Sequence, residues 1–233
     1  MSVVETSDGP NLAIHTNGQE TAVHGMQLPG DDESLHYLLS ETSSHTIFRE
    51  EQIILGTKAQ SADQQLGALL AGHARYPHLV ALATGPADEL EAGFRFSADQ
   101  TFPFVTDTQD SFLFSARIED SAGGNQRKVI AISQSGVLSP LLVEGDPLGE
   151  DSLTTVISLP ENPIYCSDTT EVAIIARLQI PSSPVSTHIL TGTPEELTSR
   201  VATGITSPGL PLDSVFEEFL QPFAIHEENL YFT

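Results

Sequence analysis

The chain has 233 residues, with 32 Asp and Glu against 9 Lys and Arg, for a formal charge of −23 at pH 7. That sign disfavours nucleic acid and anionic membrane as partners, because both are polyanions, and leaves cations, basic partners or a salty habitat open. A single cysteine, Cys166, excludes an internal disulfide, and no apolar run reaches the length of a membrane span, so a soluble chain without membrane insertion is expected.

Residues 1–10 have neither a basic start nor an apolar stretch of the kind a signal peptide needs. From residue 11 the chain reads as short apolar strands punctuated by glycine. Leu12-Ala-Ile-His-Thr-Asn-Gly18 and Ala22-Val-His-Gly25 look like the two arms of a hairpin, and Met26-Gln-Leu-Pro-Gly-Asp-Asp32 supplies a turn. A third segment, Leu35–Leu39, leads to the strongest strand, Glu51-Gln-Ile-Ile-Leu-Gly-Thr-Lys58.

Next comes an apparent insertion over 60–77. Leu66, Leu69, Leu70 and His73 stand at i, i+3, i+4 and i+7, Ser61 and Gln64 suit a capping box, and Pro77 ends the segment, so a short surface helix is expected. His73 would lie on its apolar face as a packing residue, since no second ligand stands at helical spacing.

The order then recurs. Opening arms are Leu79–Gly85, Ile130–Gly136 and the shorter Ile189-Leu-Thr-Gly192; second arms end at Gly93, Gly145 and Gly204. Third segments are Phe102–Val105, Leu153–Ile157 and Val215–Leu220, where Leu212, Val215, Phe216, Phe219 and Leu220 also fit helical spacing although the repeat places a strand there. Anchor strands are Asp110–Arg117, Thr170–Arg177 and Glu228–Thr233. Ile53, Phe112, Val172 and Leu230 are equivalent, giving steps of 59, 60 and 58 (112−53, 172−112, 230−172). Thr84–Leu90 also matches Thr191–Leu197 as a finer copy.

Constant period and short strands predict an all-β, β-propeller-like array of four four-stranded repeats with one short inserted helix, the units lying near 11–59, 78–118, 128–178 and 188–233 in a single β-repeat domain. A large β-sandwich is the alternative. Ile53/Leu55, Phe112/Phe114 and Val172/Ile174 fall on one strand face and Ile54, Leu113 and Ala173 on the other, so the anchors are expected to be covered on both sides. Lys58, Arg117 and Arg177 at their ends read as snorkelling residues, and Cys166 as a small core filler. The chain stops at Thr233 within the fourth anchor, which suggests a longer array or a strand completed by another molecule.

In the third unit, Ile130-Ala-Ile-Ser-Gln-Ser-Gly136, Val143-Glu-Gly-Asp-Pro147 and Asp168–Leu178 resemble the tandem-repeat family whose units carry an Asn-x-x-Gly-x-x-Ala-Phe motif. Asp168, Glu171 and Ile175 stand at its Asn, Gly and Phe positions. The resemblance implies a secreted or surface-anchored bacterial repeat protein of propeller type without assigned catalysis, hence an extracellular setting.

No phosphate loop, His-Glu-x-x-His helix, Cys-x-x-Cys pair or Gly-x-Ser-x-Gly elbow occurs. The acidic turns Asp31-Asp32-Glu33 and Asp146–Asp151 offer hard oxygens for Ca²⁺ but lack the alternating pattern of a strong site. No catalytic, cofactor or metal residue is therefore nominated. Three readings follow: a noncatalytic binding or scaffold module with a protein or carbohydrate partner, a self-assembling homo-oligomeric subunit using Asn229–Thr233, or a propeller enzyme with a site at its channel mouth. Crowded acids have a measurable consequence. Thermal melts should show the midpoint rising between low and high ionic strength, and a midpoint indifferent to salt would mean that surface repulsion does not limit stability.

Overall fold

A computed structural model describes residues 13–16, 19–23, 27–28, 35–38, 45–49, 52–60, 63–73, 76–106, 111–149, 153–160, 164–166, 172–193, 196–206, 211, 214–219, 224–226 and 229–231. Among these residues every regular element is a strand and there is no helix. Three antiparallel sheets have five strands and two have two.

The first sheet holds β3 (His36–Leu38), β4 (His45–Arg49), β5 (Gln52–Gln60), β6 (Gln65–His73) and β7 (His78–Leu82). The second holds β8 (Phe94–Phe96), β9 (Phe104–Thr106), β10 (Ser111–Asp120), β11 (Gln126–Gln134) and β12 (Val137–Val143). The third holds β13 (Thr155–Ser158), β14 (Ile164–Cys166), β15 (Val172–Gln179), β16 (Ser186–Thr193) and β17 (Glu196–Ala202). The two-stranded sheets are β1 (Ala13–Thr16) with β2 (Gln19–Val23) and β18 (Ala224–His226) with β19 (Asn229–Tyr231). One strand order serves all three larger sheets: two short strands share one edge of a long third strand, which pairs with the fourth, which pairs with the fifth at the edge.

The long third strands owe their position to apolar side chains on both faces. Ile53 to Leu55, Phe112 to Phe114 and Val172 to Ala176 are all buried, so alternating residues on both sides contribute roughly 1.5–3 kcal/mol per large side chain removed from water. Backbone contacts group the chain into two compact units, Met1–Pro103 with Ala116–Asn125, and Phe104–Ser115 with Gln126–Thr233. In the first, Ile53, Leu55, Ala68 and Leu70 share a core with Leu28 and Leu35. In the second, Leu113, Ile130 and Leu142 pack with Val172, Ile174 and Leu190, while the opposite face of β15 and β16, carrying Ala173, Ile175 and Ile189, packs on Phe219.

A β-bulge recurs wherever a fourth strand meets a fifth. Register shifts at Ile14/His15, Leu69/Leu70, Ile130/Ala131 and Ile189/Leu190 leave Thr21, Val80, Leu141 and Arg200 as the extra residues. Six residues after each, Gln27, Pro86, Pro147 and Thr206 bridge to His36, Arg95, Thr155 and Val215, the start of the next sheet's first strand or its equivalent. Between bulge and bridge the chain turns through positive φ: 67° at Thr84, 91° at Gly145 and 78° at Gly204. The N–H of each of these three donates to the next strand, to the carbonyls of Phe96, Val156 and Phe216 at 2.9, 2.7 and 2.8 Å. A bulge twists the fifth strand out of its own sheet, and the turn delivers it to the following one.

Three expectations change. Residues 60–77 hold no inserted helix: β6 runs through them and pairs with β5 from Gln52↔His73 to Gln60↔Gln65. Leu66, Ala68 and Leu70 occupy one strand face and Leu69 and Ala71 the other, all buried, which imitates helical spacing because both faces are apolar. The three larger sheets have five strands rather than four, because the short second strands β4, β9 and β14 share an edge with the first. Thr84–Leu90 and Thr191–Leu197 are not copies of one element: Thr84 lies in the turn after a fifth strand, whereas Thr191 lies within β16.

Glycine at 67 has a steric reason. A Cβ there would stand 2.1 Å from the carbonyl oxygen of Gln100, whose side-chain Oε1 accepts the Arg117 N–H at 2.7 Å and so satisfies β10 where its partner changes from β9 to β8. Thr84 is the less comfortable occupant of its turn, since left-handed φ costs a β-branched residue about 1–2 kcal/mol. Thr84→Gly should gain about 0.5–1 kcal/mol in urea denaturation, and Gly145→Thr should lose about 1–2 kcal/mol, although a Cβ at Gly145 would meet nothing closer than the Arg127 guanidinium at 3.7 Å, an ordinary contact. Equal effects of opposite sign from packing are not expected at either place.

Candidate functional site

The third sheet contains the fully buried ionisable side chain found among the described residues, His188, which is 2% exposed. It lies on β16, between Ala176 of β15 and Ala202 of β17. Strand alternation places Ser186 and Leu190 on the same face. Ser199 reaches that face through the bulge: with Arg200 as the extra residue, Leu190 pairs with Ser199 and His188 with Ala202. Without the bulge, Arg200 would face with His188 instead.

Both ring nitrogens are engaged. Nε2 lies 2.7 Å from Ser186 Oγ and Nδ1 2.7 Å from Ser199 Oγ. Neutral imidazole has one N–H and one lone pair, so one serine accepts from the ring and the other donates to it. Burial pushes the His188 pKa below its ordinary 6.5 and is the sole cause of the shift. The residues on its face from the adjoining strands, Ala176, Leu178, Ser199 and Ala202, carry no charge, and Arg177 pairs with Thr187 and so belongs to the other face. A neutral base with a hydroxyl on each nitrogen can take a proton from one and hold its ring in place through the other.

A second cluster binds the turn after β12. Glu144 accepts the backbone N–H groups of Lys128 and Leu159 at 3.0 and 2.8 Å, and Lys128 Nζ donates to the Leu159 carbonyl at 3.0 Å. Arg127 Nη2 donates to Asp146 Oδ1 at 2.8 Å. These acids serve as backbone and arginine acceptors, which fastens β11 and the turn to the segment after β13.

Residues singled out in the sequence do not converge. Lys58 and Arg117 are half-buried and Arg177 is exposed, and all three lie within their strands rather than at the ends, because β5, β10 and β15 run two or three residues further. His73 lies on β6, its ring stacked at 6.2 Å on that of Tyr76. Asp146 is paired with Arg127, while Asp31, Asp32, Glu33, Glu150 and Asp151 lie outside the described residues, as do the side chain of Cys166 and residues Leu212 and Leu220. Among the described residues no three His, Cys, Asp or Glu side chains gather closely enough to hold a metal ion. The Ser186, His188 and Ser199 cluster had no separate signal in the sequence, since its membership depends on a one-residue bulge.

The chain matches no protein-family model, no curated protein and no solved structure. Its site is therefore characterised by geometry alone.

The buried imidazole sets the sign of a pH effect. Because its folded pKa lies below the unfolded value of 6.5, its neutral form stabilises the fold fully above pH 6.5, and that contribution is lost as pH falls below it. Comparing denaturation of the natural chain and His188→Gln from pH 8 to pH 5 should show the natural chain losing more stability over the acid part of that range. Parallel curves would mean that His188 protonates equally easily folded and unfolded.

Proposed function

We propose that the chain is a noncatalytic β-repeat module, propeller-like, that binds or scaffolds a protein or carbohydrate partner at a cell surface or outside the cell. The observation that carries this reading is the recurrence of one device, a bulged fifth strand followed by a bridge into the next sheet, at Gln27, Pro86, Pro147 and Thr206, in steps of 59, 61 and 59 (86−27, 147−86, 206−147). Sheets linked in this way bury their faces against neighbours rather than alone, as repeat architectures require. In the second compact unit the short strands β9 and β14 adjoin, as do β14 and β18, which suits successive sheets converging along their second strands. Similarity to the Asn-x-x-Gly-x-x-Ala-Phe repeat family favours the extracellular setting.

A self-assembling subunit is a second reading. β18 and β19 pair as a second strand pairs with a third, and β1 and β2 pair, bulge included, as a fourth pairs with a fifth. A β1–β2 pair from a second copy has the strand order that would extend β19 into a complete sheet.

Light scattering and small-angle X-ray scattering, at low and high salt and with and without Ca²⁺, separate the two. The leading reading expects a monomer in each condition with a radius of gyration of about 17 Å, the value for a closed domain of this length. Large assemblies that disappear when residues 229–233 are removed would replace it with the second reading. A much larger radius in a monomer would remove the closed arrangement.

A further inference from the structure

We propose that Ser199, His188 and Ser186 form a hydroxyl–imidazole–hydroxyl relay that makes Ser199 a nucleophile toward activated acyl and phosphonyl compounds. This gives the third sheet a reactivity beyond the noncatalytic binding or scaffold role proposed for the module, and it does not depend on how the sheets are arranged.

Four observations converge. The two 2.7 Å contacts fall on opposite ring nitrogens, so His188 can accept the Ser199 proton at Nδ1 while its Nε2–H is held by Ser186. The ring is buried, whereas Ser199 is exposed on β17, the edge strand of its sheet, where a reagent can reach it. Burial keeps the ring in its neutral, proton-accepting form at pH 7. Finally, the fold does not require these polar groups. Bulge registers make Ala68 and Val129 the counterparts of His188, and Leu79 and Pro140 those of Ser199. Two sheets of the same order thus fill the same places with apolar residues.

The chemistry closes without a further reactant but water. Ser199 Oγ adds to the carbonyl carbon of an activated ester as its proton passes to Nδ1. The imidazolium returns that proton to the departing alkoxide, leaving the acyl group on Oγ. A water then adds, losing its proton to Nδ1, and the same proton returns to Oγ as the acid leaves. Ser186 is a positioning residue. Its neutral hydroxyl supports the imidazolium less than a carboxylate would, so both acylation and deacylation are slow. A fluorophosphonate reacts by the same first step, forming an Oγ–P bond with loss of fluoride.

The full-length chain is treated with a fluorophosphonate at pH 7.5, and the adduct is located by peptide mass mapping. One adduct on Ser199 is expected, absent in Ser199→Ala and formed about 100-fold more slowly in His188→Gln, the general-base share of such reactions being about 10²–10⁴-fold. Ser186→Ala should slow labelling while leaving the circular dichroism spectrum and melting temperature near those of the natural chain. The labelling rate of the natural chain should fall in a single step on acidification, with a midpoint below 6.5. This profile decides the matter even where His188→Gln fails to fold. No adduct at millimolar reagent, an adduct elsewhere, an undiminished rate in folded His188→Gln, or a rate flat between pH 8 and pH 5 would each overturn the proposal.

Discussion

The bulge at the junction of fourth and fifth strands is the constraint from which most of the arrangement follows. Antiparallel strands alternate their side chains strictly, so one extra residue on the fifth strand reverses which side chains face the core beyond it. With Val80, Leu141 and Arg200 as the extra residues, the strand twists, its last residues leave the ladder, and the backbone enters a left-handed turn at Thr84, Gly145 or Gly204. Three hydrogen bonds from those turns tie each fifth strand to the sheet that follows. A connection that would otherwise be a free loop thereby becomes part of a ladder.

Burial on both faces is the second constraint. A strand such as β15, with Val172 and Ile174 in one core and Ala173 and Ile175 in another, cannot be stable as part of an isolated sheet, because one of its faces would meet water. Cohesion is therefore shared between neighbours, and among the described residues no Asp or Glu side chain is buried. The half-buried Glu144 accepts the backbone N–H groups of Lys128 and Leu159.

Residue spacing made the all-β architecture and the burial of β5, β10 and β15 on both faces legible, because these depend on composition and local period. Phase was not legible through the first sheet. Leu66, Leu69, Leu70 and His73 satisfy helical spacing only because β6 is apolar on both faces, and once that strand is taken for a helix, Leu79–Gly85 is read as an opening arm alongside segments of β11 and β16 when it belongs to a fifth strand and its turn. Thr84 misled in the same way: glycine marks the turn at 145 and 204, so a threonine in left-handed conformation gave no sign of the equivalence. The serine–histidine cluster was hidden for a geometric reason, since Ser199 and Arg200 exchange faces on the presence of a single bulge.

The fifth strands also differ in how they guard an open edge. β12 carries Pro140, which has no N–H to offer, and β17 carries Glu196 and Arg200. β7 reads His-Leu-Val-Ala-Leu, with neither proline nor a formal charge to discourage another strand. The burden of keeping separate molecules from fusing into a common ladder is thus unevenly distributed, and β7 is the place where crowding during synthesis or partial melting would first turn a private edge into a shared one.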